Sequence, residues 1–194
     1  MPDMPQLDPN TTALLLMDFQ ESIVAGHATD QEALLVRTAA LQAVARKAGV
    51  LVGHVVVGFR PGYPEVSPRN MSFSAIRQTN RFIPTDKQAG VHPALGPHEG
   101  EFVVTKHRVG AFHGTDLEVI LRSHGIDTLL LAGIATGGVV LSTLRHAADA
   151  DYRIVAVSDC CSDKDEEVHR VLLERVFPRQ AHVATAAEVI KALG

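Results

Sequence analysis

The chain has 194 residues, 46% of them hydrophobic and 21% charged, with a formal net charge of -4. This balance suits one globular domain over residues 1–194 with a sizeable core, and a mildly acidic chain has no general affinity for nucleic acid. No apolar run approaches the ~20 residues of a membrane span. The start, Met1-Pro2-Asp3-Met4-Pro5, lacks the basic and apolar regions of a secretory leader. The two cysteines, Cys160 and Cys161, are adjacent, and a bridge between neighbours is strained. A reduced, cytoplasmic setting follows as the simpler expectation.

In chain order, Thr12–Met17 is a continuous apolar run ending at Asp18, the signature of a strand buried on both faces. Helical spacing runs from Asp30 to Ala48, with Asp30 as N-cap and Gly49 as stop. Val50–Val57 is the second strand, and Phe102–Thr105, ending at Lys106, the third. A helix over Asp116–His124 has Thr115 as its cap and Gly125 as its stop. Thr128–Leu131 is the fourth strand, and Thr136–Asp149 the helix after it. Arg153–Val157 is the fifth strand, followed by a helix over Asp165–Phe177 that Pro178 closes. His182–Ala184 and Ala186–Leu193 supply the last strand and helix. Residues 58–100 break this rhythm, hold most of the prolines, and read as a long excursion with short helices. Such loops serve function or pack on a partner subunit.

Strands alternating with helices imply parallel βαβ units, hence a three-layer, doubly wound α/β domain of six parallel strands in the order 3-2-1-4-5-6. Ligands bind at the carboxyl ends of such strands, beside the switch point between strands one and four. Asp18 and the Gly133–Val139 turn would face each other there, with Lys106 reaching in across strand two. A carboxylate and an ammonium in contact would hold each other charged and could share a proton in acid/base work. The plainer readings are a turn cap for Asp18 and a solvated surface group for Lys106.

In the turn, Thr136 is a candidate helix cap. Gly137 and Gly138 either leave N–H groups open to an anion at the helix start or simply allow close packing. Arg60 could fork a substrate carboxylate or lie on the surface. Phe19, Tyr63, Phe73 and Phe112 could wall a pocket or fill the core. The histidines are scattered, with His54 inside a strand, so neither a metal nor another cofactor is expected.

Several ordered motifs carry a family resemblance. They are Leu15-Leu16-Met17-Asp18-Phe19-Gln20, then Lys106 with Gly110-Ala111-Phe112-His113-Gly114-Thr115-Asp116-Leu117. Gly133-Ile134-Ala135-Thr136 and the helix to Ala147 follow, then Tyr152-Arg153 and Val157-Ser158-Asp159. Over nearly its whole length the chain resembles the isochorismatase-like hydrolases, also called the cysteine hydrolase family. The resemblance implies a six-stranded parallel sheet, assembly as a homodimer or larger homo-oligomer, and a catalytic Asp, Lys and Cys. Asp18 and Lys106 match the first two. It also implies a cis peptide at Ile134–Ala135 that turns backbone N–H groups toward the substrate. Ile134, Ala135 and Gly138, with Phe19, Gln20, Arg60 and Phe112, become the substrate-binding candidates.

The family's cysteine falls on Val139, which cannot form the thioester used by the family's amidases. The family's isochorismatases instead cleave a vinyl ether. By that resemblance Asp18 protonates the enol-ether carbon, water attacks the resulting cation, and Lys106 holds charge and orientation. The metal-binding Asp-x-His pair of the family's nicotinamidases would follow strand two, where this chain reads Val57-Gly58-Phe59-Arg60. The leading expectation is a small-molecule hydrolase working through Asp18 and Lys106 on a small, anionic substrate. The alternatives are a catalytically inactive binding or assembly module and an amidase using Cys160 or Cys161.

Overall fold

The computed structural model describes residues 4–194, so the first three residues of the start discussed above lie outside it. Six strands form one parallel sheet: β1 (Thr12–Met17), β2 (Leu51–Val57), β3 (Phe102–Lys106), β4 (Thr128–Ile134), β5 (Arg153–Ser162) and β6 (His182–Ala184). Their order is β3-β2-β1-β4-β5-β6, as the alternation implies. The helices are α1 (Glu21–His27), α2 (Gln31–Ala48), α3 (Leu117–Ser123), α4 (Leu141–Asp149), α5 (Glu166–Val171) and α6 (Ala186–Leu193).

The unbroken apolar runs have a direct cause. Successive side chains of a strand point to opposite faces, and here both faces are covered. Leu15 and Leu131 enter one core with Leu117 and Leu121 of α3 and Leu144 of α4. Their neighbours Leu14, Leu16 and Leu130 enter the other, with Leu34 and Leu41 of α2 and Val189 of α6. All six residues of β1 and all seven of β4 are buried. Their ladder runs from Thr12 against Thr128 to Met17 against Gly133.

Local chemistry sets the helix ends. The Asp30 carboxylate accepts the Ala33 N–H at the start of α2, and Gly49 ends it at φ 83°, a left-handed conformation that glycine adopts without a Cβ clash. In α6, Thr185 and Glu188 form a capping box.

Four departures from the sequence expectations stand out. The helix α1 was not expected: it is short, and Gln20 before it makes no side-chain cap. The strands β4 and β5 run on to Ile134 and Ser162. Beyond an irregularity at Leu131–Gly133 they pair again, Gly133 with Cys161 and Ile134 with Ser162. The helix expected from Thr136 begins as a wide turn over Thr136–Val140 and becomes regular at Leu141. The helix expected to reach Phe177 is regular only to Val171, then widens over Leu172–Val176.

The excursion after β2 contains only short tight turns at Ser74–Gln78, Lys87–Ala89 and Pro93–Leu95. It carries its own small core around Phe59, Tyr63, Val66 and Phe82. His54 is a core histidine, with Nε2 3.2 Å from Glu101, which itself pairs with Arg46 at 2.6 Å, and with Nδ1 buried without a hydrogen-bond partner. Among the described residues no helix is long and apolar enough to cross a membrane.

The contact between β1 and β4 leaves no room for a side chain at Gly133. A Cβ there would lie 2.8 Å from the Met17 carbonyl oxygen, a backbone atom that cannot swing away. Gly133→Ala should therefore lower stability by about 1–3 kcal/mol. It should appear as a reduced urea midpoint at unchanged slope.

Candidate active site

At the carboxyl ends of β1, β3 and β4 lies a cavity of about 220 Å³. Asp18 and Lys106 line it, as do Ile134 and Ala135 from the end of β4 and Gly138 and Val139 from the turn. Asp18 leaves β1 at φ 60°, a left-handed conformation that Asp tolerates better than most residues. Its N–H donates to the Val55 carbonyl at 2.8 Å.

Lys106 starts two strands away, about 10 Å across the sheet at ordinary strand spacing. A lysine and an aspartate side chain together span that gap. Lys106 Nζ lies 2.9 Å from Asp18 Oδ2, with side-chain exposures of 3% and 8%. Nζ also donates to the Arg108 carbonyl at 3.1 Å. The second carboxyl oxygen, Asp18 Oδ1, is buried without a protein partner. Burial pushes the Asp18 carboxyl up to about 6, against the pull of the Lys106 ammonium. One oxygen is thus pinned, the other is free, and the group can change protonation near neutral pH.

The peptide Ile134–Ala135 is cis. The turn after it is clamped from behind, which corrects two expectations. Thr136 does not cap the helix; its hydroxyl is hydrogen-bonded to His169 Nδ1 at 2.8 Å. The glycine N–H groups are not open: Gly137 donates to Asp163 Oδ2 at 2.7 Å and Gly138 to the Ala135 carbonyl at 3.0 Å. Burial lowers the His169 pKa, while Asp163 nearby opposes the shift. At Gly137 a Cβ would meet Val168 Cγ1 at 3.0 Å and Asp163 Oδ2 at 3.1 Å, so the missing side chain lets this backing approach the turn.

Four other candidates lie outside the cavity lining. The Arg60 guanidinium is held at 2.8 Å by Glu65, with 73% of its side chain exposed. Phe19 is buried in the core on the α2 side of the sheet. Phe112 is buried in the other core, stacked on His146 at 4.4 Å between ring centroids. Gln20 is a brace: its amide donates to the Val57 and Ala89 carbonyls, and its oxygen accepts the Val57 N–H. The phenylalanines and Gln20 are thus consumed by the scaffold, and Arg60 by Glu65 at the surface.

Residues that the sequence reading missed come from α1, the excursion and the loop after β3, which contributes Val109. Ile23, His27, Arg81 and Phe82 line the cavity, and Phe73 is the one proposed aromatic wall that does so. Tyr63 belongs to the small core of the excursion. No periodicity marks these positions. Cys160 and Cys161 are buried in different cores, outside the cavity lining. Burial pushes the Cys160 thiol up to about 12 and raises Cys161 as well. Among the described residues no three His, Cys, Asp or Glu side chains converge as metal ligands.

Removing the clamp on the turn should be measurable. Asp163→Ala should cost about 1 kcal/mol in chemical denaturation, the value of one hydrogen bond that water partly replaces. The Gly137 amide should also exchange faster with solvent than in the parent. Unchanged exchange at Gly137 would show that the carboxylate does not hold the turn.

Residues 12–188 match the isochorismatase domain. The chain is 34% identical over 193 residues to the isochorismatase family protein YecD of Escherichia coli O157:H7, covering 98% of this chain and all of that protein. It is 26% identical to a maleamate amidohydrolase of Pseudomonas putida over 185 residues, covering 93% of this chain and 86% of that protein. An isochorismatase family protein from Burkholderia thailandensis superposes with a TM-score of 0.84 at 34% identity, covering 98% of this chain and 99% of that structure. With the sheet order and these likenesses in agreement, the chain belongs to the isochorismatase family of hydrolases.

Proposed function

We propose that the protein is a small-molecule hydrolase that works through Asp18 and Lys106 without a covalent enzyme intermediate. The observation that carries this reading is the makeup of the cavity. It contains a buried carboxyl with one free oxygen, and among its described lining residues there is no thiol or hydroxyl side chain. The resemblance puts Val139 at the position of the family's cysteine, which supports water as the nucleophile.

The bond best suited to this chemistry is a vinyl ether. Protonated Asp18 delivers its proton to the enol-ether carbon, and the ether oxygen stabilises the cation that forms. Water adds to that cation and returns a proton to the Asp18 carboxylate. The resulting hemiketal collapses to a ketone and an alcohol. Lys106 keeps the carboxylate form compensated between turnovers, which matters because an unpaired buried charge is costly.

A second reading is favoured by the likeness to a maleamate amidohydrolase. Here the ionised Asp18 acts as general base: the water it deprotonates adds to an amide carbonyl, and Asp18 then passes that proton to the nitrogen as the C–N bond breaks, giving a carboxylic acid and ammonia or an amine.

The two readings have opposite pH dependence. A proton donor with a pKa of about 6 loses activity as pH rises through that value, whereas a general base gains activity over the same interval. Assays of carboxylated vinyl ethers, maleamate and ureidoacrylate across this interval separate them. Vinyl-ether cleavage falling with pH is the expected result. Asp18→Asn should reduce kcat/KM by about 10²–10⁴-fold, and alkylating reagents applied to the folded protein should leave activity unchanged. Loss of activity on alkylation would overturn the non-covalent mechanism.

A further inference from the structure

One side chain of the cavity rim is displayed by an unusual backbone and, among the described residues, has no carboxylate partner. Arg81 sits between Asn80 at φ 53° and Phe82 at φ 58°. Asparagine enters the left-handed region readily, but a bulky phenylalanine there is an outlier that persists only where its surroundings impose it. Those surroundings are specific. The Tyr63 hydroxyl donates to the Arg81 carbonyl at 2.9 Å, and the Arg81 N–H donates to Thr79 Oγ1 at 3.3 Å. The Phe82 N–H donates to Asp86 Oδ2 at 2.8 Å, and its carbonyl accepts the Phe59 N–H at 2.8 Å.

Every backbone polar group of the Arg81–Phe82 pair is thereby engaged, and the segment holds one shape. The guanidinium stands over the Phe82 ring, 4.9 Å from its centroid. Arg46 and Arg60 are satisfied by Glu101 and Glu65, whereas among the described residues no carboxylate pairs with Arg81. Its backbone is held while its fork of donors is left without a carboxylate, at the mouth of a cavity whose Phe73, Phe82 and Val109 wall is apolar, an arrangement suited to a planar anion.

We infer that Arg81 is a specificity-determining residue that binds a carboxylate of the substrate. The substrate class is then a small carboxylic acid with an apolar body. The body lies against Phe73, Phe82 and Val109, with the reacting group at Asp18. This assignment rests on reading the cavity as the hydrolytic site, and it transfers to Arg81 the role that the sequence alone offered to Arg60.

Calorimetric titration with benzoate and with benzamide, its uncharged counterpart of nearly equal size, tests the assignment without turnover. The parent should bind benzoate at least about tenfold more tightly, the effect of one charge-assisted contact. Arg81→Ala should erase the preference, and Arg81→Lys should retain part of it, which guards against a folding defect. His27→Gln, at the other cation-capable residue of the rim, should preserve it. A parent that shows no preference, a preference that survives Arg81→Ala, or one that collapses in His27→Gln instead would each overturn the proposal. The two readings fail separately. If benzoate selectivity depends on Arg81 but neither vinyl ethers nor amides are cleaved, only the hydrolytic reading falls. If cleavage proceeds with no such selectivity, only the carboxylate site falls.

Discussion

Two opposite charges removed from water depend on each other. Desolvating each costs several kcal/mol, and only close contact with well-placed hydrogen bonds repays it. Asp18 and Lys106 meet the first part of this condition at 2.9 Å, and the sheet order sets the distance they span. With β2 between β1 and β3, the lysine has one strand to cross, which its length allows. The apolar cavity wall then acts on the pair. It raises the carboxyl toward neutrality and leaves one oxygen with nothing in the protein to bind.

Much of this arrangement was legible in the sequence because burial on both faces of a parallel sheet leaves a plain trace. Thr12–Met17 and Thr128–Leu131 are unbroken apolar runs, and each is followed by a residue or turn that breaks the pattern. Asp18 and Lys106 stand at such breaks, so the alternation of strands and helices sufficed to bring them together. The ends of β4 and β5 were harder to read. Ser158-Asp159-Cys160-Cys161-Ser162 mixes polar and apolar residues like a loop, yet its backbone continues the ladder with Gly133 and Ile134.

The rim was illegible for a different reason. Residues 58–100 have no period, and their conformation is set by single hydrogen bonds between distant backbone and side-chain atoms. Arg60 and Arg81 look alike in sequence. Glu65 neutralises the first, and the left-handed turns around the second project it over the cavity. The tyrosine hydroxyl and the aspartate that hold that turn lie at positions 63 and 86, which no local pattern connects with Arg81. The turn after β4 is similar. Its two glycines suggested open N–H groups, but Asp163, well beyond β4 in the chain, fills one of the places intended for a ligand.

The adjacency of β1 and β4 also bears on how the molecule is made. Well over half of the chain separates Thr12 from its ladder partner Thr128. Closing so long a loop carries an entropic cost that local helices avoid, and contacts of this range slow folding. During synthesis β1 can pair with β2 early, but its other edge stays bare until β4 emerges. For that interval the most apolar strand near the N-terminus presents unpaired backbone groups, a surface on which other chains can pair. The cavity, whose walls come from both sides of this junction, is among the last features of the molecule to exist.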